Sequence, residues 1–259
     1  MDYPTIICLC LTYGRPKLLN NAVECFLRQD YPKDLAELLI VDDLGTIKLP
    51  LLGAPEHVIC NSRTWRFLSL PEKYNYAWRF LNADLYVVWE DDDVQLPWCL
   101  RAHAAACEHH GWSYPSEVWS DYGGIIHTEQ SGGRFHGSLA IRRETLERLG
   151  GWPDTKKANF DQQLIANLKR DCEPGDPLFF SPSRLQHGQP IPVGSPAYVF
   201  RYSTTGQPHG QNTMQGPDDE TWYDRYLPPD SSGPHIITPA LDESAKWIFR
   251  QLCPSEPIS

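Results

Sequence analysis

The sequence predicts an α/β domain with a mixed, mostly parallel sheet flanked by helices, a smaller second sheet and a loop-rich C-terminal region. Apolar runs of strand length alternate with segments of helical periodicity through residue 110. Polar side chains directly follow three of these runs, and after Gly111 short strand-like pieces alternate with glycine-rich turns. Continuous apolar runs are typical of strands covered on both faces, and alternation with helices is typical of a parallel sheet.

The first half contains four predicted strands and three predicted helices. Pro16 suits the first position of a helix, and Tyr31-Pro32 ends that helix. Ligands of parallel sheets bind beyond the carboxyl ends of the strands, where Thr12, Asp42 and Glu90 begin polar segments. The predicted strands are 5–11, 38–41, 58–59 and 85–89, and the predicted helices are 16–27, 72–81 and 97–110.

The second half is less regular. Gly150-Gly151 is a good end for a helix that begins at Arg143. Residues 173–235 are rich in Pro, Gly, Ser and His, which predicts long loops around a functional site. No internal repeat or linker divides the chain, so we expect one domain with halves 1–110 and 111–259. Further predicted elements are strands at 117–120, 123–127 and 135–142 and helices at 159–170 and 242–252.

Composition excludes several classes of protein. The chain has 259 residues and a formal charge of −10, so it lacks the basic footprint of a generic duplex-DNA binder. No apolar run approaches the roughly 20 residues of a membrane helix. The first residues have no basic segment like that of a signal peptide, and the eight cysteines form no C-x-x-C pair. We therefore expect a cytoplasmic protein with reduced thiols.

Glu90-Asp91-Asp92-Asp93 is the strongest functional signal. Four adjacent carboxylates repel one another, and hard cations such as Mg²⁺ or Mn²⁺ take carboxylate oxygens together with substrate phosphates. The alternative is that these acids cap the helix that Pro97 opens, although capping needs only one or two acids. The spaced pattern of a calcium loop is absent.

Four segments in order carry a family resemblance. They are T-Y-G-R-P at 12–16, L-I-V-D-D at 39–43, E-K-Y-N at 72–75 and W-E-D-D-D-V-Q-L-P at 89–97. Together they resemble the inverting family-2 glycosyltransferases of the GT-A fold, which use nucleotide-diphosphate sugars. The last segment resembles the block that holds the D-x-D metal motif, with Glu90 in place of its first aspartate.

The resemblance extends to the second half. Gly150-Gly151-Trp152 followed by N-F-D-Q-Q at 159–163 resembles the family's G-G-F…E-D segment, whose acid is the catalytic base. That similarity points to Asp161. The segment 197–202, continued to His209-Gly210, resembles the late segment that closes over the diphosphate.

The resemblance implies a metal-dependent enzyme that moves a sugar from a nucleotide-diphosphate sugar, with a UDP-sugar favoured, to an acceptor hydroxyl. Mn²⁺ or Mg²⁺ would be held by Asp91, Asp92, Asp93 and His209, with Asp92 the first choice. Asp161 would be the catalytic base. The donor would be bound by Thr12, Tyr13, Arg15, Asp42, Asp43, Lys73, Asn75, Asp91 and Arg201.

Simpler interpretations of single residues stay open. Asp161 also fits an ordinary acid at the start of a helix, and Arg15 also fits a cation on the surface. Asp42-Asp43 also fit a plain turn. Acidic strand ends also suit a nucleotidyltransferase or a metal-dependent phosphohydrolase, and an inactive sugar-binding protein is a third possibility. The acceptor is open among a polysaccharide precursor, a small molecule and a hydroxylated nucleobase in phage-like DNA. His187 is a secondary candidate for the site.

Overall fold

The computed structural model describes residues 3–48, 55–155, 159–180, 196–202 and 233–253. The strands are β1 (Ile6–Thr12), β2 (Ala36–Asp42), β3 (Ile47–Lys48), β4 (Val58–Ser62), β5 (Leu85–Val88), β6 (Val94–Gln95), β7 (Trp112–Ser113), β8 (Glu117–Tyr122), β9 (Ile126–Gln130), β10 (Ala140–Arg142), β11 (Tyr198–Tyr202) and β12 (His235–Ile236). The α-helices are α1 (Pro16–Leu27), α2 (Leu70–Phe80), α3 (Cys99–Ala106), α4 (Arg143–Leu149), α5 (Phe160–Asp171) and α6 (Glu243–Leu252).

The central sheet has six strands in the order β4-β2-β1-β5-β10-β7. The four strands β4, β2, β1 and β5 are parallel, and β10 runs antiparallel to both β5 and β7. Thr12 pairs with Asp42, and Asp42 pairs with Ser62, so three neighbouring strands end at the same level. This register brings the polar segments after these strands to one edge of the sheet, as the sequence predicts.

A second sheet adjoins that edge. Its order is β6-β11-β8-β9, in which β11 is antiparallel to β6 and parallel to β8. Since β6 begins directly after the acidic segment 90–93, the two sheets meet at those acids. A short parallel pair, β3 and β12, lies outside both sheets.

Helices cover both faces of the central sheet, which explains the continuous apolar runs. Along β1, Ile6, Cys8 and Cys10 pack into one core with α1, α3 and α6. The alternate residues Ile7, Leu9 and Leu11 pack into a second core with α2, α4 and α5. All eight cysteines are free, and most are buried among these apolar side chains.

The structure confirms the predicted fold class, but several elements begin or end at other residues than predicted. The predicted strand 135–142 is reduced to β10, because His136–Ser138 form a turn of 3-10 helix. Gly123 and Gly124 have left-handed backbone angles, so the strand predicted at 123–127 begins later, as β9. The loops predicted over 173–235 contain β11, whose pairing with β6 and β8 depends on contacts distant in sequence.

Within the described ranges, no helix combines the length and the apolar character needed to cross a bilayer.

The turn after α4 depends on two glycines and one amide. Gly150 ends α4 with φ +79°, and Gly151 follows with φ +95°. Asn75 of α2 accepts a hydrogen bond from the backbone N–H of Trp152 and donates one to its carbonyl, both at 2.8 Å. A Cβ on Gly151 would stand 2.1 Å from Asn75 Oδ1. The amide thus reaches the turn only because residue 151 has no side chain.

Replacing Gly151 by alanine is expected to lower the free energy of unfolding by roughly 2–5 kcal/mol, because left-handed strain adds to the loss of the partly buried Asn75 contacts. Gly150→Ala is the matched control: its backbone is equally left-handed, but a Cβ there meets nothing within 4 Å. We expect it to lose about 1–2 kcal/mol. Denaturant unfolding measures both, and equal losses would contradict the role given to Asn75.

Candidate active site

The acidic segment 90–93 links β5 to β6, so the two sheets hold it at both ends. Asp91, Asp92 and Asp93 are buried, with exposed fractions of 0%, 5% and 2%, and Glu90 is partly exposed. Buried charge is costly unless opposite charge or hydrogen bonds compensate it. The partners of each carboxylate therefore indicate its role.

Glu90, Asp92 and Asp93 converge. One carboxylate oxygen from each lies within 4.8 Å of the other two. Burial, followed by the charge of Asp92, raises the pKa of Glu90 to about 8 and also raises the pKa of Asp93. Glu90 and Asp93 therefore resist ionising without a cation, and three oxygen donors at this spacing fit a hard divalent ion. We call this group the carboxylate cluster.

Asp91, also expected among the metal ligands, lies outside the carboxylate cluster and has other partners. Its Oδ2 accepts a hydrogen bond from Thr12 Oγ1 at 2.7 Å, and its Oδ1 lies 2.5 Å from Arg15 Nη2. Burial raises the pKa of Asp91 to about 6, although the Arg15 charge opposes that shift. Arg15 Nη1 also reaches Asp92 Oδ2 at 3.2 Å. Asp91 therefore fixes Arg15 beside the carboxylate cluster.

Asp93 and Arg201 connect the cluster to β11 and α6. Asp93 accepts hydrogen bonds from the Tyr198 hydroxyl and, at 3.1 Å, from the Arg201 backbone N–H. The Arg201 side chain donates from Nε to the Asp92 carbonyl at 2.5 Å and pairs with Asp242, the N-cap of α6, at 2.7 Å. Only 1% of Arg201 is exposed. Arg201, which the resemblance places at the diphosphate, thus connects β11, the acidic segment and α6.

A basic pocket lies beside the carboxylate cluster, at the carboxyl end of β1. Lys73 Nζ donates to the Thr12 carbonyl at 2.7 Å and contacts Asp43 Oδ1 at 2.5 Å. Burial lowers the pKa of Lys73, and the Asp43 charge opposes that shift. The Arg66 guanidinium lies 4.8 Å from the centre of the Tyr13 ring. The pocket is lined by Leu11, Thr12, Tyr13, Arg15, Arg66, Leu70 and Lys73.

The two aspartates that end β2 have different surroundings. Asp42 is fully buried and accepts hydrogen bonds from three backbone N–H groups of the following turn and from the Ser62 hydroxyl, at 2.8 to 3.0 Å. Its carboxylate therefore closes that turn, which agrees with the plain-turn alternative left open by the sequence. Asp43 contacts Lys73 and accepts from the Phe67 N–H at 3.3 Å, which places it behind the basic pocket.

One more residue expected to bind the donor, Asn75, has other partners. The Asn75 amide is committed to the backbone of Trp152, as described above, so the structure does not bring it into the basic pocket. His209 falls outside the described residues, as does His187.

Asp161 lies in the first turn of α5, and 6% of it is exposed. Its Oδ2 accepts a hydrogen bond from the Gln162 side chain at 3.1 Å. Among the described residues, its buried Oδ1 has no hydrogen-bond partner. The Asp161 charge contributes to the raised pKa of Glu90 and opposes the lowering of the His136 pKa, so it acts electrostatically on the carboxylate cluster. A buried carboxylate oxygen without a donor is suited to accept a proton.

Sequence reasoning missed three members of this arrangement. They are Tyr198, which lies in a loosely similar segment, Arg66 and His136. His136 Nδ1 lies 3.2 Å from Glu90 Oε1, and burial lowers its pKa to about 4. No local pattern marks these residues, because their contacts with Asp93, Tyr13 and Glu90 join segments far apart in sequence.

Comparison with solved structures identifies the fold. S. aureus TarS 1-349 in complex with UDP superposes with a TM-score of 0.56 over 77% of this chain and 61% of that chain, at 13% identity. TarS 1-349 in complex with UDP-GlcNAc gives 0.55 over 77% and 59%, also at 13% identity. This similarity shows that the chain has the GT-A fold. It spans about three fifths of the TarS fragment.

A mannosyltransferase, PcManGT from Pyrobaculum calidifontis in complex with GDP-Man and Mn²⁺, is 22% identical over 65% of this chain and 52% of that chain, with a TM-score of 0.46. No description of a known protein family matches the sequence, and no curated protein does.

Without metal, Glu90 makes stability depend on pH. Its pKa is higher in the folded chain than the ordinary value of 4.5. The contribution of Glu90 to the free energy of unfolding is therefore complete below pH 4.5 and is lost as pH rises to about 8. Glu90→Gln keeps an acceptor for His136 and carries no charge. In the presence of a chelator we expect it to be about 1–3 kcal/mol more stable than the native chain at pH 8.

That difference is expected to shrink toward pH 4.5, and denaturant unfolding at several pH values measures it. Glu56→Gln is the control, because the Glu56 side chain is 93% exposed and is expected to show no such dependence. A Glu90→Gln chain less stable than the native one at pH 8 would show that Glu90 is not held in a high-pKa environment.

Proposed function

We propose that this chain is a metal-dependent inverting glycosyltransferase that moves a sugar from a nucleotide-diphosphate sugar to an acceptor hydroxyl. One observation carries the proposal: the carboxylate cluster and the basic pocket lie side by side at the carboxyl ends of β1 and β5, joined by Arg15. A diphosphate bridging a divalent cation and guanidinium groups needs this pairing of opposite charges.

Glu90, Asp92 and Asp93 are the residues that would hold the cation. A bound divalent ion there would stabilise the negative charge that develops on a leaving diphosphate. Arg15 is suited to the same charge from the other side, since its planar guanidinium grips oxygen atoms in pairs. Asp91 and Thr12 hold that guanidinium in place.

The basic pocket would receive the nucleoside. Tyr13 offers a ring for stacking on the base, with Arg66 above it. Asp43 and Lys73 support the pocket from behind through their mutual contact and the Thr12 carbonyl. TarS, which shares this fold, was crystallised with UDP and with UDP-GlcNAc, and that supports a UDP-sugar as the first donor to test.

Asp161 is the proposed base. An inverting transfer is one in-line displacement at the anomeric carbon through an oxocarbenium-like transition state. The acceptor oxygen forms its bond to that carbon as the bond to the diphosphate breaks, and its proton passes to Asp161. Its Oδ1, which has no hydrogen-bond partner in the described part of the chain, is the oxygen that would take the proton.

Mn²⁺ and UDP together are expected to raise the melting temperature by more than the sum of their separate effects, because the phosphate oxygens of UDP would ligate the ion. Asp92→Asn keeps the side-chain volume and removes the charge, so it is expected to abolish this synergy. Asp34→Asn, an exposed aspartate in a turn remote from the site, is the control. If neither UDP nor GDP shifts the melting temperature with Mn²⁺ present, the proposal fails.

Asp161→Asn is expected to reduce the rate of sugar release from a panel of UDP-sugars by roughly 10²–10⁴-fold, the usual contribution of a general base. The synergy of Mn²⁺ and UDP should persist, because Asp161 is not proposed to bind either the ion or the nucleotide. Asp171→Asn, at the other end of α5 in an exposed pair with Arg148, serves as the control. Full activity in Asp161→Asn would remove that residue from the mechanism.

A further inference from the structure

Trp152, His136 and Glu90 form a chain of hydrogen bonds that ends on the carboxylate cluster. Trp152 Nε1 donates to His136 Nε2 at 2.9 Å, and His136 Nδ1 lies 3.2 Å from Glu90 Oε1. The imidazole therefore bridges the Gly-Gly-Trp turn after α4 and the carboxylate that begins the segment 90–93.

The first of these bonds determines where the imidazole carries its proton. An indole N–H is only a donor, so His136 Nε2 must accept and cannot hold a hydrogen. The ring proton is then on Nδ1, which faces Glu90 Oε1 and donates to it. Trp152 thus selects the one neutral tautomer of His136 that binds a carboxylate.

Aromatic packing fixes the orientation of this imidazole. Tyr74 contacts the His136 ring edge-on with centroids 4.9 Å apart, and Phe160 does so at 5.4 Å. Trp152 itself stacks on Tyr74 at 4.8 Å with ring planes 12° apart. Asn75 holds the Trp152 backbone on both sides. A ring confined in this way can aim its Nδ1–H at one point only.

We propose that His136 is a positioning residue that holds Glu90 in the orientation for binding a divalent cation, and that Trp152 sets its tautomer. The inference rests on the proposed function, because it concerns the same carboxylate cluster. The N–H of His136 occupies Glu90 Oε1, which leaves Oε2 for another partner. A Cβ on Gly137 would stand 2.8 Å from that Oε2, so glycine at 137 is needed for the carboxylate to lie there.

Two substitutions separate the two nitrogens of the ring. The amide nitrogen of His136→Asn occupies the position of Nδ1, so it can still donate to Glu90, while the contact with Trp152 is lost. The amide of His136→Gln reaches the position of Nε2 and leaves Glu90 without its donor. Each variant loses one of the two hydrogen bonds that His136 makes, so the two variants form a matched pair.

The affinity for Mn²⁺ alone, measured by electron paramagnetic resonance titration, is the first readout. Loss of an outer partner of a metal ligand typically weakens metal binding by about 10–100-fold. We expect that loss in His136→Gln and a dissociation constant close to the native one in His136→Asn. Melting temperatures of the two variants check that both are folded.

The second readout is the ¹⁵N spectrum of the histidine side chains in the metal-free chain. We expect the His136 proton on Nδ1 in the native chain and a mixture of tautomers in Trp152→Phe, which keeps the ring and removes the donor. A native His136 with its proton on Nε2 would overturn the inference.

The outcomes distinguish this inference from the proposed function. If the native chain binds Mn²⁺ and His136→Gln binds it equally tightly, the positioning role is wrong and the proposed function stands. If the native chain binds no Mn²⁺ either alone or in the presence of UDP, the proposed function is wrong and the positioning role falls with it.

Discussion

Burial of the carboxylates at the end of β5 is the constraint on which the rest of this site depends. Each acid of the segment 90–93 has a partner from a different part of the chain. Arg15 neutralises Asp91 and Asp92, Tyr198 and a backbone N–H bind Asp93, and His136 binds Glu90. The loop after β1, strand β11 and the turn 136–138 must therefore all be in place before these charges are compensated. The remaining negative charge in the carboxylate cluster is what a divalent cation would balance.

The sequence predicts the parts of this structure that local patterns determine. The apolar runs predict β1, β2 and β5 because two cores require both faces of those strands to be apolar. The same runs predict that the polar residues after them share one edge of the sheet. The GT-A fold expected from the ordered segments is confirmed by the similarity to TarS. The acidic segment itself stands out because four adjacent carboxylates repel one another unless positive charge compensates them.

Side-chain direction in loops could not be predicted, since it depends on contacts distant in sequence. Asp91 lies apart from the carboxylate cluster because Thr12 and Arg15 hold it toward β1, while Glu90 lies within the cluster. Arg201 pairs with Asp242, which lies 41 positions later, and no local pattern links the two. Asn75 sits in a segment that resembles a donor-binding one, yet Gly151 leaves room for its amide at the Trp152 backbone. Contacts with Glu90 and Trp152, which are also distant in sequence, make a loop histidine, His136, part of the site.

The most direct test of the central claim is anomalous diffraction at the manganese edge from crystals grown with Mn²⁺ and UDP. The account predicts one strong peak bound by Glu90 and Asp92, with Asp93 as the third protein ligand and the UDP phosphates on the side of Arg15. A peak bound by Asp91, or no peak at the end of β5 while UDP occupies the basic pocket, would contradict it.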